Sequence, residues 1–366
     1  MIINVDVKPR NSSVELLRII CIWGILIHHF VAHGISLVPG FELSFTWQNV
    51  LSYIVGWGGN TGNAVFVIIT GYYMILKSVH WKKVLLLLST LFLYSWCIGL
   101  LSFTTGLVPY SGKEILKILF PIWTGANWFV CCYIIFICFV PFINPLLQSF
   151  SKQRYIWFIV INYLMFILIP ILHGHTFGEG MFIQFFIMYA IGGYFRRFPF
   201  QGNAFGGTQF WKRILLICIT LIFLMAVIIP LLGKGKIVPW RMVAPFELFI
   251  AISLFMIAIR HQFYNRWINS IANSVLGIYL IHDNPLVRNF IWRRWLPNID
   301  YLDSPYFAIF MIGKVVIVFL ACLMIDQLRI RFVEPTIRRY IDNRWSEWGR
   351  IIENKRNRWT KVIEKL

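Results

Sequence analysis

The sequence predicts an all-α membrane protein, a polytopic bundle of about ten transmembrane helices, and three observations carry that prediction. Of the 366 residues, 58% are hydrophobic and only 13% are charged, whereas soluble domains carry about 25% charged residues. The mean hydropathy is +0.70. Apolar stretches long enough to cross a bilayer, about 20 residues each, recur along most of the chain. A soluble globular protein is therefore excluded.

Ten apolar segments divide the chain into a membrane domain, residues 1–326, and a basic tail, residues 327–366. An even number of spans places both ends of the chain on one side of the membrane. The expected spans are residues 14–36, 48–76, 84–104, 126–147, 155–172, 181–195, 214–232, 242–259, 267–287 and 305–326.

The distribution of positive charge predicts the orientation of these spans. Most of the 34 lysines and arginines lie on the side that holds both termini, and short cytoplasmic loops collect Lys and Arg. We therefore expect a multi-pass protein of the plasma or inner membrane, with both termini in the cytoplasm. The net charge of +19 then indicates attraction to anionic membrane lipid rather than to nucleic acid.

The tail carries apolar residues at helical spacing among basic residues. This pattern predicts an amphipathic helix on the inner leaflet, interrupted near Pro335. The apolar positions are Ile330, Val333, Ile337, Ile341, Trp345 and Trp348.

The seven cysteines lie within apolar segments and lack the spacing typical of metal ligands. We expect free thiols, with neither a structural disulfide nor a bound metal. No second, aqueous domain is visible, so the chemistry is expected in or beside the membrane.

The ionisable residues of the first span include Glu15, Arg18, His28 and His29. Such side chains at membrane depth usually mark functional sites. At 100° per residue, Arg18 and His29 lie about 20° from the same helix face and about 16 Å apart along the axis. We expect these two to face one cavity, with Glu15 pairing with Arg18. The alternative is that Glu15 and Arg18 anchor the helix at the interface and that the histidines bind neighbouring helices.

Two other segments carry candidate residues. In the second span, five glycines permit either tight helix packing or a broken helix that lines a cavity. Three lysines follow this span. They form either a cation cluster beside it or cytoplasmic anchors of the kind that the positive-inside rule describes. The ninth span ends in His282 and Asp283, either site residues or ordinary interfacial polarity. The glycines are Gly56, Gly58, Gly59, Gly62 and Gly71, and the lysines are Lys77, Lys82 and Lys83.

Several of these segments together resemble the acyltransferase 3 family, membrane-bound enzymes that O-acylate cell-surface carbohydrates. Arg18 and His29 match the family's pattern of Arg or Lys, ten residues and His. The sequence GNAVFVIITGYY, residues 62–73, is similar to an aromatic-rich family segment that ends in Ser-Gly-Tyr, with Thr70 in place of Ser. Residues 127–141 and 273–282 follow weaker family signatures, so the resemblance covers nearly the whole chain.

The resemblance implies transfer of an acetyl or similar acyl group from cytoplasmic acetyl-coenzyme A, or a related acyl-coenzyme A, to a sugar hydroxyl of the cell envelope or an exopolysaccharide. His29 would be the general base, with Arg18 and Glu15 completing the catalytic group. If residue 14 lies at the inner boundary, His29 stands about 22 Å up a hydrocarbon core of about 30 Å. The long pantetheine arm of coenzyme A could span that distance.

The physical chemistry of the implied reaction adds residues for its two substrates. Cations at the cytoplasmic end suit the phosphates of coenzyme A, and polar or aromatic residues in the matching segments suit a carbohydrate or lipid-linked glycan. The expected donor-binding residues are Lys77, Lys82, Lys83 and Arg18, and the expected acceptor-binding residues are Asn63, Trp128, Tyr279 and His282.

Two functions of other classes compete with this interpretation. A secondary transporter of a polar or lipid-linked solute also has broken helices and intramembrane ionisable residues, but no inverted internal repeat is visible. A non-catalytic membrane scaffold leaves the alignment of Arg18 with His29 unexplained. An acyltransferase is therefore the expected function, and the sequence indicates no particular oligomeric state.

Overall fold

A computed structural model describes residues 10–41, 44–109, 111–169, 181–199, 207–231 and 245–347. Within these ranges the chain is helical and contains no strand, which confirms the all-α prediction. The helices are α1 (Ser12–Val31), α2 (Trp47–Gly56), α3 (Gly58–Met74), α4 (Trp81–Thr104), α5 (Gly112–Leu119), α6 (Pro121–Thr124), α7 (Trp128–Ser149), α8 (Lys152–Tyr163), α9 (Met181–Arg197), α10 (Thr208–Leu231), α11 (Pro245–Arg260), α12 (Arg266–Asn273), α13 (Val275–His282), α14 (Pro285–Asn289) and α15 (Phe307–Leu328).

Five helices of the described residues are long and apolar enough to cross a membrane, so the chain is an integral membrane protein. They fall on five of the ten expected spans; the total of ten stays a prediction. The five are Ser12–Ser36, Trp81–Thr104, Trp128–Ser149, Thr208–Ile228 and Phe307–Glu347.

Two expected spans are divided into shorter helices. The second is broken at Trp57, between α2 and α3. The ninth forms α12, α13 and α14. Helix α14 is separate from α13 because the side chain of Asn284 accepts from the backbone N–H of Leu286 and Pro285 starts a new helix. The chain therefore turns directly after His282, which brings that residue to a helix end.

Helix α3 occupies the centre of the bundle and packs against α1, α9 and α11. A Cβ atom added at Gly24 of α1 would lie 3.0 Å from the carbonyl oxygen of Gly58. A methyl group at Gly71 of α3 would overlap the carbonyl oxygen of Tyr189 on α9. The glycines of the second span thus permit close helix packing. The break at Trp57 also gives the broken helix of the second interpretation.

Helix α1 carries the ionisable residues of the first span and is held at both ends. Asn11 caps its start, since its side-chain oxygen accepts from the backbone N–H of Ser13 at 3.0 Å. Beyond Val31 the chain continues as a π-helical turn, Ala32–Ser36. Such turns occur frequently at functional sites, and this one carries His33.

A buried lysine fastens the loop before α15 to the bundle. The ammonium group of Lys314, 3% exposed, donates to the carbonyl oxygens of Trp295 and Leu296, both at 2.8 Å, and to Asn298 Oδ1 at 2.6 Å. Asn298 in turn donates to the carbonyl oxygen of Phe30 at 2.8 Å. The loop is thereby fixed against the C-terminal end of α1.

Helix α15 continues into the basic tail. A π-helical turn, Arg329–Val333, leads into the helical residues 334–347, which we call the tail helix. The expected interruption near Pro335 is absent, because the helix runs without a break from Phe307 to Glu347. The expected position of this helix on a leaflet stays a prediction, and Trp348 lies outside the described residues.

Candidate functional site

A cavity of about 890 Å³ opens at the end of the bundle where α1 begins. We call it the main cavity. Its wall on α1 runs from Val14 to Ile25, eleven residues or about 16 Å along the axis. The volume lies within the range of small-molecule sites, about 300–1,000 Å³. The helices α3, α4, α7, α9, α11 and α13 also contribute to the wall.

Cations surround the opening of the main cavity because several helices begin or end there. Arg10 and Arg18 come from the start of α1, Lys77 follows the end of α3, Lys83 lies in the first turn of α4 and Arg196 in the last turn of α9. Such a rim favours the binding of a phosphorylated ligand.

Glu15 lies at this opening, and two arginines bind its carboxylate. Arg10 Nε donates to one oxygen at 2.6 Å and Arg18 Nη1 donates to the other at 2.8 Å. The predicted pairing of Glu15 with Arg18 is therefore present. Both residues stand far from His29, because fourteen and eleven helical residues correspond to about 21 and 16 Å.

His29 forms a hydrogen-bonded pair with His282. The Nδ1 atom of His29 lies 2.9 Å from Nε2 of His282, and Nδ1 of His282 lies 2.6 Å from the carbonyl oxygen of Ile278. A carbonyl only accepts, so Nδ1 of His282 carries the proton and its Nε2 accepts from His29. In the neutral form, His29 then holds its free lone pair on Nε2.

Three charged or ionisable residues surround the histidine pair. Asp283, 1% exposed, has its Oδ1 atom 3.6 Å from Nδ1 of His29 and 3.6 Å from Nε2 of His33. Arg288 Nε lies 2.9 Å from the same oxygen, but without hydrogen-bond alignment, so this contact is mainly electrostatic. The carboxylate can thus stabilise positive charge that develops on either imidazole.

The histidine pair lies beyond the inner end of the main cavity. Tyr279 and Asn63 line that end, and the ring of Tyr279 meets the ring of His282 edge-on, with centroids 6.0 Å apart. Ile25, the innermost lining residue of α1, precedes His29 by one helical turn. Arg18 therefore lines the cavity while His29 stands one turn behind its inner wall.

His28 faces a different neighbour. Its Nδ1 atom lies 2.5 Å from the carbonyl oxygen of Gly56, and Gly59 leaves room for its ring, since a methyl group there would overlap it. This contact joins α1 to α2, which agrees with a packing role for His28.

The structure separates the other predicted residues into two groups. Lys77 and Lys83 line the main cavity, whereas Lys82 lies outside it and pairs with Asp342 of the tail helix at 2.6 Å. Trp128 also stays outside the lining and packs edge-on against Phe129, which does line it.

We call the histidine pair together with His33, Asp283 and Arg288 the histidine cluster. Three of its side chains could bind a metal ion on geometric grounds. His29, His33 and Asp283 offer ligand atoms within 4.8 Å of one another. Arg288, however, already places a positive charge beside the Asp283 carboxylate, which disfavours a second cation. The expected absence of a metal stays a prediction. The seven cysteines, all within the described ranges, are free thiols as expected.

Sequence reasoning did not single out His33 or Arg288. His33 could have been found, because it follows His29 by four residues and therefore shares its helix face. Arg288 follows the expected span 267–287, and nothing in the local sequence connects it with α1. Its contact with Asp283 depends on the turn between α13 and α14.

The sequence model of the acyltransferase 3 family, described as an acyltransferase domain, matches residues 11–326. No curated protein and no solved structure matches the chain. The matched range includes both the histidine cluster and the lining of the main cavity apart from Arg10, and it covers nearly the whole chain. The chain therefore belongs to the acyltransferase 3 family.

Proposed function

We propose that this protein transfers an acetyl or similar acyl group from cytoplasmic acyl-coenzyme A to a hydroxyl of a cell-envelope or exopolysaccharide sugar, with His29 as general base. Family membership supports acyltransferase activity in general. The observation that carries the finer proposal is the main cavity, which has a cationic rim at one end and the histidine pair directly beyond the other.

The shape of the main cavity suits coenzyme A. Its opening presents Arg18, Lys77, Lys83 and Arg196 to the phosphates, which form strong charge-assisted hydrogen bonds with such groups. Its length of about 16 Å along α1 accommodates an extended, thin arm. The thioester would then lie at the inner end beside Tyr279, about one helical turn from His29.

The hydrogen bonds of the histidine pair support the role of base. The acceptor hydroxyl oxygen attacks the thioester carbonyl carbon while Nε2 of His29 takes the hydroxyl proton. When the tetrahedral intermediate collapses, the carbon–sulfur bond breaks and the imidazolium gives the proton to the thiolate of coenzyme A. Asp283 and His282 hold the ring through its Nδ1 side, as the orienting residues of catalytic triads do.

The positions of Arg18 and Glu15 point to donor binding rather than to proton transfer. Both stand at the opening of the main cavity, and Glu15 orients the Arg18 guanidinium through a bond of 2.8 Å. Asn63 and Tyr279 line the inner end, where donor and acceptor must meet. We therefore place these two at the reacting groups and assign Arg18 to a coenzyme A phosphate.

Radiolabelled acetyl transfer tests the proposal directly. Purified protein in lipid nanodiscs is given acetyl-coenzyme A labelled in the acetyl group together with envelope glycans, and released coenzyme A and labelled glycan are both measured. We expect equal amounts of the two products. A protein that releases neither product, yet exchanges labelled solute across vesicles in a counterflow assay, would instead be the transporter of the competing interpretation, which family membership does not favour.

A further inference from the structure

A second cavity, of about 430 Å³, lies between the start of α4 and the tail helix. We call it the tail cavity. It is separate from the histidine cluster and is formed partly by residues beyond the family-matched range of 11–326. Six of the residues that line it are Trp81, Lys82, Lys83, Arg338, Ile341 and Trp345.

Two contacts with α4 hold the tail helix in place. Near the root of the tail, Tyr94 of α4 donates to Asp326 Oδ1 at 2.7 Å, and Arg329 Nε donates to the same oxygen at 2.7 Å. Further along, Lys82 pairs with Asp342 at 2.6 Å. These contacts lie twelve residues apart on α4 and sixteen apart on the continuous helix that joins α15 to the tail, so the tail cavity between the two helices is preformed. A preformed site binds a ligand with a smaller loss of conformational entropy.

The tail cavity adjoins the main cavity. Val79, His80 and Lys83 line both cavities. A ligand whose narrow arm occupies the main cavity can therefore place its other end in the tail cavity. Coenzyme A has that form, because its pantetheine arm joins an adenosine 3′-phosphate through a diphosphate.

The chemistry of the tail cavity suits that nucleotide. Lys82, Lys83 and Arg338 supply three cations against two carboxylates, Asp342 of the lining and Glu334 beside Arg338, which leaves a net positive charge for a phosphate. Glu334 orients Arg338, accepting from its Nε at 2.8 Å. The rings of Trp81 and Trp345 offer flat apolar faces, and a purine base stacks well on such faces.

We propose that the tail cavity binds the adenosine 3′-phosphate end of the donor coenzyme A, so that the tail helix forms part of the donor site. This inference rests on the proposed function, since it presumes an acyl-coenzyme A donor. It extends that function by making donor recognition depend on residues outside the family-matched range, and it gives Lys82 a role despite its position outside the main cavity.

Calorimetric titration of two donors into nanodisc-embedded protein tests the inference. Acetyl-coenzyme A carries the adenosine 3′-phosphate, whereas acetyl-4′-phosphopantetheine lacks it. We expect Arg338→Gln and Trp345→Ala each to raise the Kd of acetyl-coenzyme A about tenfold or more and to leave the Kd of acetyl-4′-phosphopantetheine unchanged. Arg344→Gln is the matched control, because Arg344 lies on the same helix and also pairs with a glutamate, Glu347, but does not line the tail cavity. Its affinities should equal those of the parent.

Each other outcome has a distinct meaning. An unchanged Kd for acetyl-coenzyme A in both variants overturns the inference and leaves the proposed function standing. Equal weakening of both donors also overturns it, since the substitutions would then act on the fold. The titrations are repeated with and without anionic lipid; an effect seen only with anionic lipid makes the tail cavity a site for lipid phosphate and overturns the nucleotide assignment. A parent protein that binds neither donor refutes the proposed function itself.

Discussion

Replacing His282 should slow acyl transfer without weakening donor binding. In the parent protein, His282 Nε2 accepts the Nδ1–H of His29 at 2.9 Å, in a region where the two side chains are 0% and 7% exposed. His282→Asn keeps a group able to donate to the Ile278 carbonyl but is too short to reach His29. His29 gains a proton in the transition state, so its charged Nδ1–H loses more from a missing acceptor than the neutral ring does. A difference of about 1–3 kcal/mol corresponds to roughly a 5- to 150-fold fall in kcat.

His282→Gln is the matched variant for this prediction. Its side-chain oxygen can occupy the position of Nε2 and accept from His29, so kcat should stay within about threefold of the parent value. The assay is initial-rate acetyl transfer at saturating donor, combined with titration of acetyl-coenzyme A into each variant. An His282→Asn protein that turns over at the parental rate would refute the role of the pair, and so would a Gln variant as slow as the Asn variant with both folded.

The remaining predictions concern the base, the orientation, the donor rim and the metal. His29→Ala should lower the rate by about 10² to 10⁴ with donor affinity kept, whereas His28→Ala should retain much of its activity; full turnover by the first variant contradicts the assignment. In a background without reactive thiols, a cysteine at Ser111 should react with an impermeant maleimide in intact cells, and one at Lys152 should not. The reverse labelling pattern would show that the predicted topology is inverted. Lys77→Gln should raise the Kd of acetyl-coenzyme A and flatten its salt dependence; unchanged binding would assign this lysine to anchoring alone. A strong chelator should leave acetyl transfer unchanged, and loss of activity restored by zinc would instead place an ion in the histidine cluster.

The sequence predicts contacts within one helix better than contacts between helices that are distant along the chain. The pairing of Glu15 with Arg18 follows from their spacing of three residues. The helical period also directs the adjacent side chains of His28 and His29 about 100° apart. The contact between His29 and His282 joins positions 253 residues apart. No local period contains that information, because it arises from the packing of α1 against α13.

Breaks within apolar segments explain where the expected spans and the structure differ. Hydropathy treats residues 48–76 and 267–287 as continuous, whereas the chain breaks at Trp57 and turns at Asn284 and Pro285. Caps and turns within apolar sequence leave the average hydropathy almost unchanged. They nevertheless decide which side chains reach the cluster, since Asp283 and Arg288 meet across the turn that follows α13.

The buried Lys314 has a consequence for the insertion of α15 into the membrane. A lysine near the middle of an inserting helix is unfavourable by about 2.5–3.5 kcal/mol, although α15 is otherwise strongly apolar. The oxygens that bind its ammonium group belong to Trp295, Leu296 and Asn298, which precede it by only 16 to 19 residues and leave the ribosome first. The oxygens that bind the ammonium group are therefore synthesised before Lys314 itself. Helix α15 can then enter the bilayer with its lysine already hydrogen-bonded to the preceding loop.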